Sequence, residues 1–164
     1  MLALDLVNTR DATGDHLATP EGLAAWLAGH GIEAPAGRAV RQAVHEVRAA
    51  VTEVVRALRA GEAPPQDARA ALTVRRELAW DGERLTERPA PAGPGPAARV
   101  RAQLAAAAID LLVGLDPATV HECGAPDCTR LFVPAHPRRR WCSDACGNRV
   151  RVTRYYHRHK GGGP

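Results

Sequence analysis

The sequence predicts a mainly α-helical protein with small β-hairpins: a helical N-terminal domain followed by a short cysteine-bearing module. Three observations carry that expectation. Apolar residues recur at three- and four-residue steps through much of the first 120 positions, all four cysteines lie beyond them, and the charge changes sign between the two parts. Residues 1–120 hold 13 arginines against 15 acids, a net of −2, while residues 121–164 hold nine basic residues against three acids, a net of +6. A length of 164 residues suits one ordinary domain with a small appendage. An apolar share of 45% and a charged share of 24% are those of a soluble globular chain. No stretch approaches the ~20 apolar residues of a membrane span, so no membrane partner is expected. The start, Met1-Leu2-Ala3-Leu4-Asp5, has neither a basic region nor a long apolar run, so the expected location is cytoplasmic.

The elements follow in order. Leu2–Thr9 places Leu4 and Leu6 at period two and reads equally as a short strand or the start of a helix. Thr19-Pro20-Glu21 is an N-cap followed by proline at the first helical position, with Leu23, Trp26 and Leu27 on one face and Gly29–Gly31 as the stop. Valines at 40, 44, 47, 51, 54 and 55, with Leu58, predict a long helix from about Gly37 to Ala60. A third helix follows Pro64-Pro65 through Ala68, Ala71 and Leu72, reaching as far as Arg76. Asp81-Gly82 between short apolar alternations marks a hairpin over Leu78–Leu85. Pro89–Pro96 (PAPAGPGP) reads as a loop, Ala97–Val113 as an apolar helix ending at Gly114, and Asp116-Pro117 as a turn.

Cys123, Cys128, Cys142 and Cys146 are spaced C-x4-C-x13-C-x3-C. Two close pairs, each on one turn and joined by a short loop, supply the four thiolates of a tetrahedral zinc site. Two disulfides or four unrelated thiols are the alternatives: disulfides fit poorly with a chain expected to carry no export signal, and unrelated thiols do not normally cluster as two pairs in 24 residues. Gly124, Pro126 and Asp127 make the turn of the first pair. Arg130–Val133 and Arg139–Trp141 are expected to pair around Pro134–Pro137, and Ser143 and Asp144 to cap a helix bearing Cys146. Knuckle, hairpin and helix describe a treble-clef-like zinc finger. Four thiolates leave no open coordination position, so the one expected cofactor is a structural zinc, standing in for a core too small to fold alone.

Cys146-Gly147-Asn148-Arg149 spells CGNR, preceded by Arg139-Arg140-Trp141-Cys142-Ser143. The segment from Val120 to Lys160 resembles the CGNR zinc finger. Leu4-Asp5-Leu6-Val7-Asn8-Thr9, with Trp26-Leu27 downstream, resembles the ABATE domain that usually precedes that finger. The resemblance implies a bacterial stress-induced transcription regulator whose finger takes DNA as partner. It assigns the ligands to the four cysteines and the motif to Gly147, Asn148 and Arg149. Two departures stand out: many members have one more residue between the last two cysteines, and the loop here reads PAHP where a DTS-like sequence is common. The expected division is 1–119 as the N-terminal domain, a candidate sensor or dimerisation unit, 120–160 as the finger, and 161–164 as a flexible tail.

On a helix over 144–159, Gly147, Arg151, Arg154 and Arg158 form one stripe, and Cys146, Val150, Thr153 and His157 a neighbouring one expected to face metal and hairpin. Arg138, Arg139, Arg140, Arg149 and Lys160 complete the candidate nucleic-acid contacts, since guanidinium forks engage phosphate oxygens in pairs. Tyr155 and Tyr156 add aromatic surface. Zinc with four thiolates lowers the module's charge from +6 to about +4, still positive enough to attract a polyanion. A protein-interaction or RNA-binding role for the same module is the alternative. Arg149 and Asn148 are open to a bracing role as much as a contact role.

An enzyme is not expected. His45-Glu46 lacks the second histidine of a zincin, and Gly93-Pro94-Gly95 lacks the lysine and context of a phosphate loop. Asp5, Asn8, Thr9 and Trp26 form a candidate small-molecule pocket in the N-terminal domain, for an effector; the alternative is that they cap turns or satisfy buried backbone groups. His16 and His30 have no assignable partner.

Overall fold

In a computed structural model the chain is described over residues 2–11, 13–114, 116–126 and 128–160. The opening segment is a helix, α1 (Leu2–Val7), because Ala3, Leu4, Leu6 and Val7 all bury one continuous face. A tight hairpin follows, β1 (Arg10–Asp11) with β2 (Gly14–Asp15), which two-residue strands leave without any periodic signal. Helix α2 (Pro20–Gly29) starts as expected, the Thr19 hydroxyl accepting a hydrogen bond from the Gly22 amide at 3.1 Å. A side chain on Gly22 would meet the His16 carbonyl oxygen at 2.1 Å, so glycine lets α2 close against the loop that carries His16.

Helix α3 (Arg38–Arg59) is the central element, burying Val40, Val44, Val47, Val51, Val54 and Val55. Helix α4 (Gln66–Ala71) and helix α5 (Pro96–Gly114) pack against it, and α1 lies across α3 and α5. The third helix is therefore shorter than expected. It stops at Ala71, and Arg76 lies instead in β3 (Arg75–Trp80), which pairs antiparallel with β4 (Leu85–Ala90). The Pro89–Pro96 loop is also corrected: Pro89 and Ala90 belong to β4, and Pro96 opens α5. A two-stranded ribbon leaves each strand a free edge, so the missing proline N–H costs no ladder bond there.

The module begins after a short turn at Pro117–Thr119. β5 (His121–Glu122) pairs antiparallel with β6 (Leu131–Phe132), and α6 (Asp144–Lys160) follows. The expected pairing of 130–133 with 139–141 is thus wrong in its partner. The inner edge of β6 takes β5, and its outer edge at Leu131 is occupied by the Asn8 side chain, so 139–141 runs back to the knuckle, where the Arg140 carbonyl accepts from the Gly124 amide at 3.0 Å. Alternation along β6 joins two cores: Leu131 enters the main one with α1 and α3, while Phe132 packs on the small cluster of Cys123, Ala125, Cys146 and Val150.

Among the described residues no helix is long and apolar enough to cross a membrane. The expected tail, 161–164, lies outside the described residues, as does Asp127 of the knuckle turn.

Candidate metal centre and basic helix

The sulfur atoms of Cys123, Cys128, Cys142 and Cys146 all lie within 4.8 Å of one another, and no pair is joined as a disulfide. Three of the separations are 3.8 Å (Cys128–Cys142), 3.6 Å (Cys142–Cys146) and 3.8 Å (Cys128–Cys146). A tetrahedron of Zn–S bonds of ~2.3 Å has edges of about 3.8 Å, so the quartet has the dimensions of a four-thiolate zinc site. Two thiolates come from the knuckle between β5 and β6, one from the approach to α6 and one from its first turn. This is a closed site for one structural zinc.

Local chemistry sets each ligand. Burial opposes ionisation of Cys123, but backbone amides outweigh it, including that of Cys142 at 3.4 Å, and hold the thiol at about 7. Burial raises Cys128, and burial followed by the crowding of the other three thiols pushes Cys142 up to about 12. Four thiolates cannot share so small a volume without a cation, which is the electrostatic requirement a divalent metal meets. Ser143 caps α6 as expected, its hydroxyl accepting from the Cys146 amide at 3.3 Å. Gly147 sits under the Trp141 indole: a Cβ there would lie 3.2 Å from its ring, so glycine permits the packing that seats the helix.

The CGNR arginine is placed at the sulfur cluster. Arg149 is exposed overall but donates from Nη2 to the Cys146 sulfur at 3.7 Å, offsetting thiolate charge. Arg139 is half-buried, donating to the carbonyls of Trp141 (3.0 Å) and Cys142 (2.8 Å), and so braces the segment before α6. Arg138, Arg140, Arg151, Arg154 and Arg158 are exposed, as is Asn148. The Lys160 side chain lies outside the described residues. Cys146 and Val150 are buried and Thr153 is half-buried, but His157 is exposed, so the stripe expected to face the hairpin does so only over the first half of the helix. From Arg154 to His159 every residue is exposed, including Tyr155 and Tyr156, because α6 outruns the small module it packs on.

The four residues of the candidate pocket do come together, in a cleft between the N-terminal domain and the finger. Asn8 and Thr9 hold backbone groups. The Asn8 side chain donates from Nδ2 to the Leu131 carbonyl (2.8 Å) and accepts from the Leu131 amide at Oδ1 (2.9 Å), acting as one rung of a third strand on β6. The buried Thr9 hydroxyl donates to the Leu6 carbonyl at 2.6 Å and accepts from Arg48 at 3.0 Å. Satisfying backbone groups, the plainer expectation, thus holds for both. Asp5 lies 3.7 Å from His30, and the Trp26 ring meets His30 at a tilt of 36°, with centroids 4.4 Å apart.

Several residues invisible to local sequence patterns tie the two parts together. Arg130 of the finger donates to Asp11 at 2.9 and 3.2 Å, and Arg59 of α3 reaches the Val120 carbonyl at 3.1 Å and the Glu122 carboxylate. Asp11 is held well below the ordinary carboxylate range, chiefly by the Thr13 hydroxyl, against an opposing effect of burial, with His16 and Arg130 assisting. Buried Arg48 pairs with Asp15, which sits at about 2. Each tie spans more than thirty residues, which no spacing rule detects.

Comparison with known proteins agrees with this architecture. No curated protein matches the chain. Residues 120–159 match the profile of the CGNR zinc finger, and residues 1–115 match that of ABATE, described as "Putative stress-induced transcription regulator"; neither description is that of an enzyme. The two matched ranges meet where the helical body gives way to the four-cysteine module, and the chain belongs to the ABATE family, with a CGNR zinc finger at its C-terminal end.

Proposed function

We propose that the chain is a DNA-binding transcription regulator of the bacterial cytoplasm, in which zinc fixes α6 on the finger and the exposed half of that helix engages duplex phosphates. One observation carries the reading: α6 runs past its own module with Arg151, Arg154 and Arg158 exposed on one stripe, and Asp144 is the only acid among its 17 residues. A helix held at one end and open to solvent along the rest is shaped to lie in or across a groove, and guanidinium groups at steps of three and four meet successive phosphates along one face. Arg138 and Arg140 extend the positive surface from the loop before the helix. Arg139 and Arg149 contribute by bracing, since their donors are turned to the finger's own carbonyls and sulfur. The N-terminal domain, tied to β6 by Asn8 and to Arg130 by Asp11, is the natural receiver of a signal that such a regulator would report.

The test is salt-titrated binding of the zinc-loaded chain to duplex DNA. Affinity is expected to fall steeply with salt, and removing Arg151 and Arg154 together to flatten the log–log slope by about 1 for each charge. No binding by the zinc-loaded chain at low salt overturns the proposal, as does a slope unchanged in the double variant.

A further inference from the structure

The β3–β4 ribbon turns apolar side chains into solvent. Leu78, Trp80 and Leu85 share one face, with Trp80 directly opposite Leu85, and they are 72%, 65% and 64% exposed. Large apolar neighbours left open on a two-stranded ribbon, itself marginal as a free-standing sheet, mark an interaction surface.

The two outer edges of the ribbon are not equivalent. The Asp81 amide donates to the Arg84 carbonyl at 3.2 Å, so Arg75, Glu77, Ala79 and Asp81 carry the ladder bonds toward β4. Arg76, Leu78 and Trp80 therefore turn their N–H and C=O groups outward from β3, while Leu85, Glu87 and Pro89 face outward from β4. Pro89 has no N–H to give, which blunts the β4 edge against a further strand. The β3 edge keeps all its donors, and among the described residues no backbone pairs with it.

The sequence of that edge selects what fits it. Outward groups must meet outward groups, so an antiparallel second β3 can pair only with a two-fold axis passing at a residue. An axis at Arg75, Arg76 or Glu77 opposes that charge to itself. One at Ala79 opposes Glu77 to Asp81 of the second copy, and one at Trp80 runs the pairing into the turn. An axis at Leu78 opposes no like charges directly: Leu78 meets Leu78, Arg76 meets Trp80, Glu77 meets Ala79 and Arg75 meets Asp81. The Arg76 guanidinium is held by Asp110 and Glu87 of its own chain, so its alkyl stem is what the indole covers. Glu77 is likewise neutralised by Arg88 at 2.8 Å.

We propose that a second copy of this chain docks on β3, strand to strand about Leu78, giving a four-stranded antiparallel sheet in the order β4-β3-β3-β4. The pairing does not rest on DNA binding, and its test uses none. One strand edge with its flanking side chains buries less than the ~800 Å² per partner of a standard interface, so the expected Kd is on the order of 10–100 μM.

The test is sedimentation velocity of the zinc-loaded full chain from ~1 μM to ~1 mM, with amide exchange on the same samples. A monomer–dimer equilibrium is expected in that range. Exchange is expected to slow at Arg76, Leu78 and Trp80 as concentration rises, and to stay unchanged at Leu85 and Glu87. Leu78→Lys sets two ammonium groups against each other at the axis and is expected to weaken association at least about tenfold; Arg75→Glu, which opposes acid to acid at both ends, about fivefold. Both positions are exposed, and retained zinc and helix content check each fold. Leu85→Lys, on the same face but away from the edge, is expected to stay within about twofold. Should the variants fail to fold, the exchange pattern of the unaltered chain decides. The proposal is overturned by a chain that stays monomeric to ~1 mM, which leaves the surface to a different protein. It is overturned equally by a dimer whose protection maps elsewhere, or by Leu85→Lys as damaging as Leu78→Lys, the mark of face-to-face packing.

Discussion

Cys146→Ser is expected to unfold the finger. Helix α6, 17 residues long, loses its seat, because beyond the metal it is held by little more than Val150, Trp141 and Phe132. Structural zinc contributes on the order of 10–16 kcal/mol to a small domain at neutral pH, several times what so small an apolar cluster supplies. Chelation of the unaltered chain should give the same loss of helical circular dichroism and should expose the Trp141 indole to solvent. The N-terminal domain keeps its own valine-lined core, so the loss is confined to one part of the spectrum and of the hydrogen-exchange map. Retention of α6 in Cys146→Ser contradicts a metal-dependent finger.

Asp15→Asn has the second-largest expected effect. Arg48 is 7% exposed in the wall of α3 and takes its countercharge from Asp15, with Thr9 as its other partner. Leaving a buried guanidinium without its carboxylate costs about 3 kcal/mol. The sign with pH follows from the carboxyl's position. The Arg48 hydrogen bond, against burial and with the Leu17 amide and the charges of Arg48 and His45 assisting, lowers it from 3.8 to about 2 in the fold. A carboxyl lowered on folding stabilises above its unfolded value and loses that contribution as pH falls through the folded one. The stability gap between the unaltered chain and Asp15→Asn should therefore be full at pH 6 and close between about pH 4 and pH 2. Comparing the two chains removes the contribution of Asp11, which titrates low in both. A gap that stays constant down to pH 2 contradicts the assignment.

How much of this was legible beforehand follows from the range of each interaction. The valine stripe of α3, the Thr19-Pro20 cap and the CGNR helix are local, and the sequence displays them at their own spacing. The cysteine quartet is non-local but chemically unmistakable, because four thiols in 24 residues have few uses. The strand containing Pro89 was hidden by a rule that holds for central strands and lapses on a free edge. The partner of β6 was misread because its outer edge is filled by a side chain 123 positions away, Asn8, whose amide stands in for a strand. Arg48, Asp11 and Arg130 carry no motif; only the tertiary fold brings them to their partners.

The most direct measurement on the central claim is the metal content of the chain purified without added metal, taken with the reactivity of its thiols. One zinc per chain is expected, with all four cysteines slow to alkylate until a chelator is added. A chain free of zinc, with four reactive thiols and α6 amides still protected from exchange, would contradict the account.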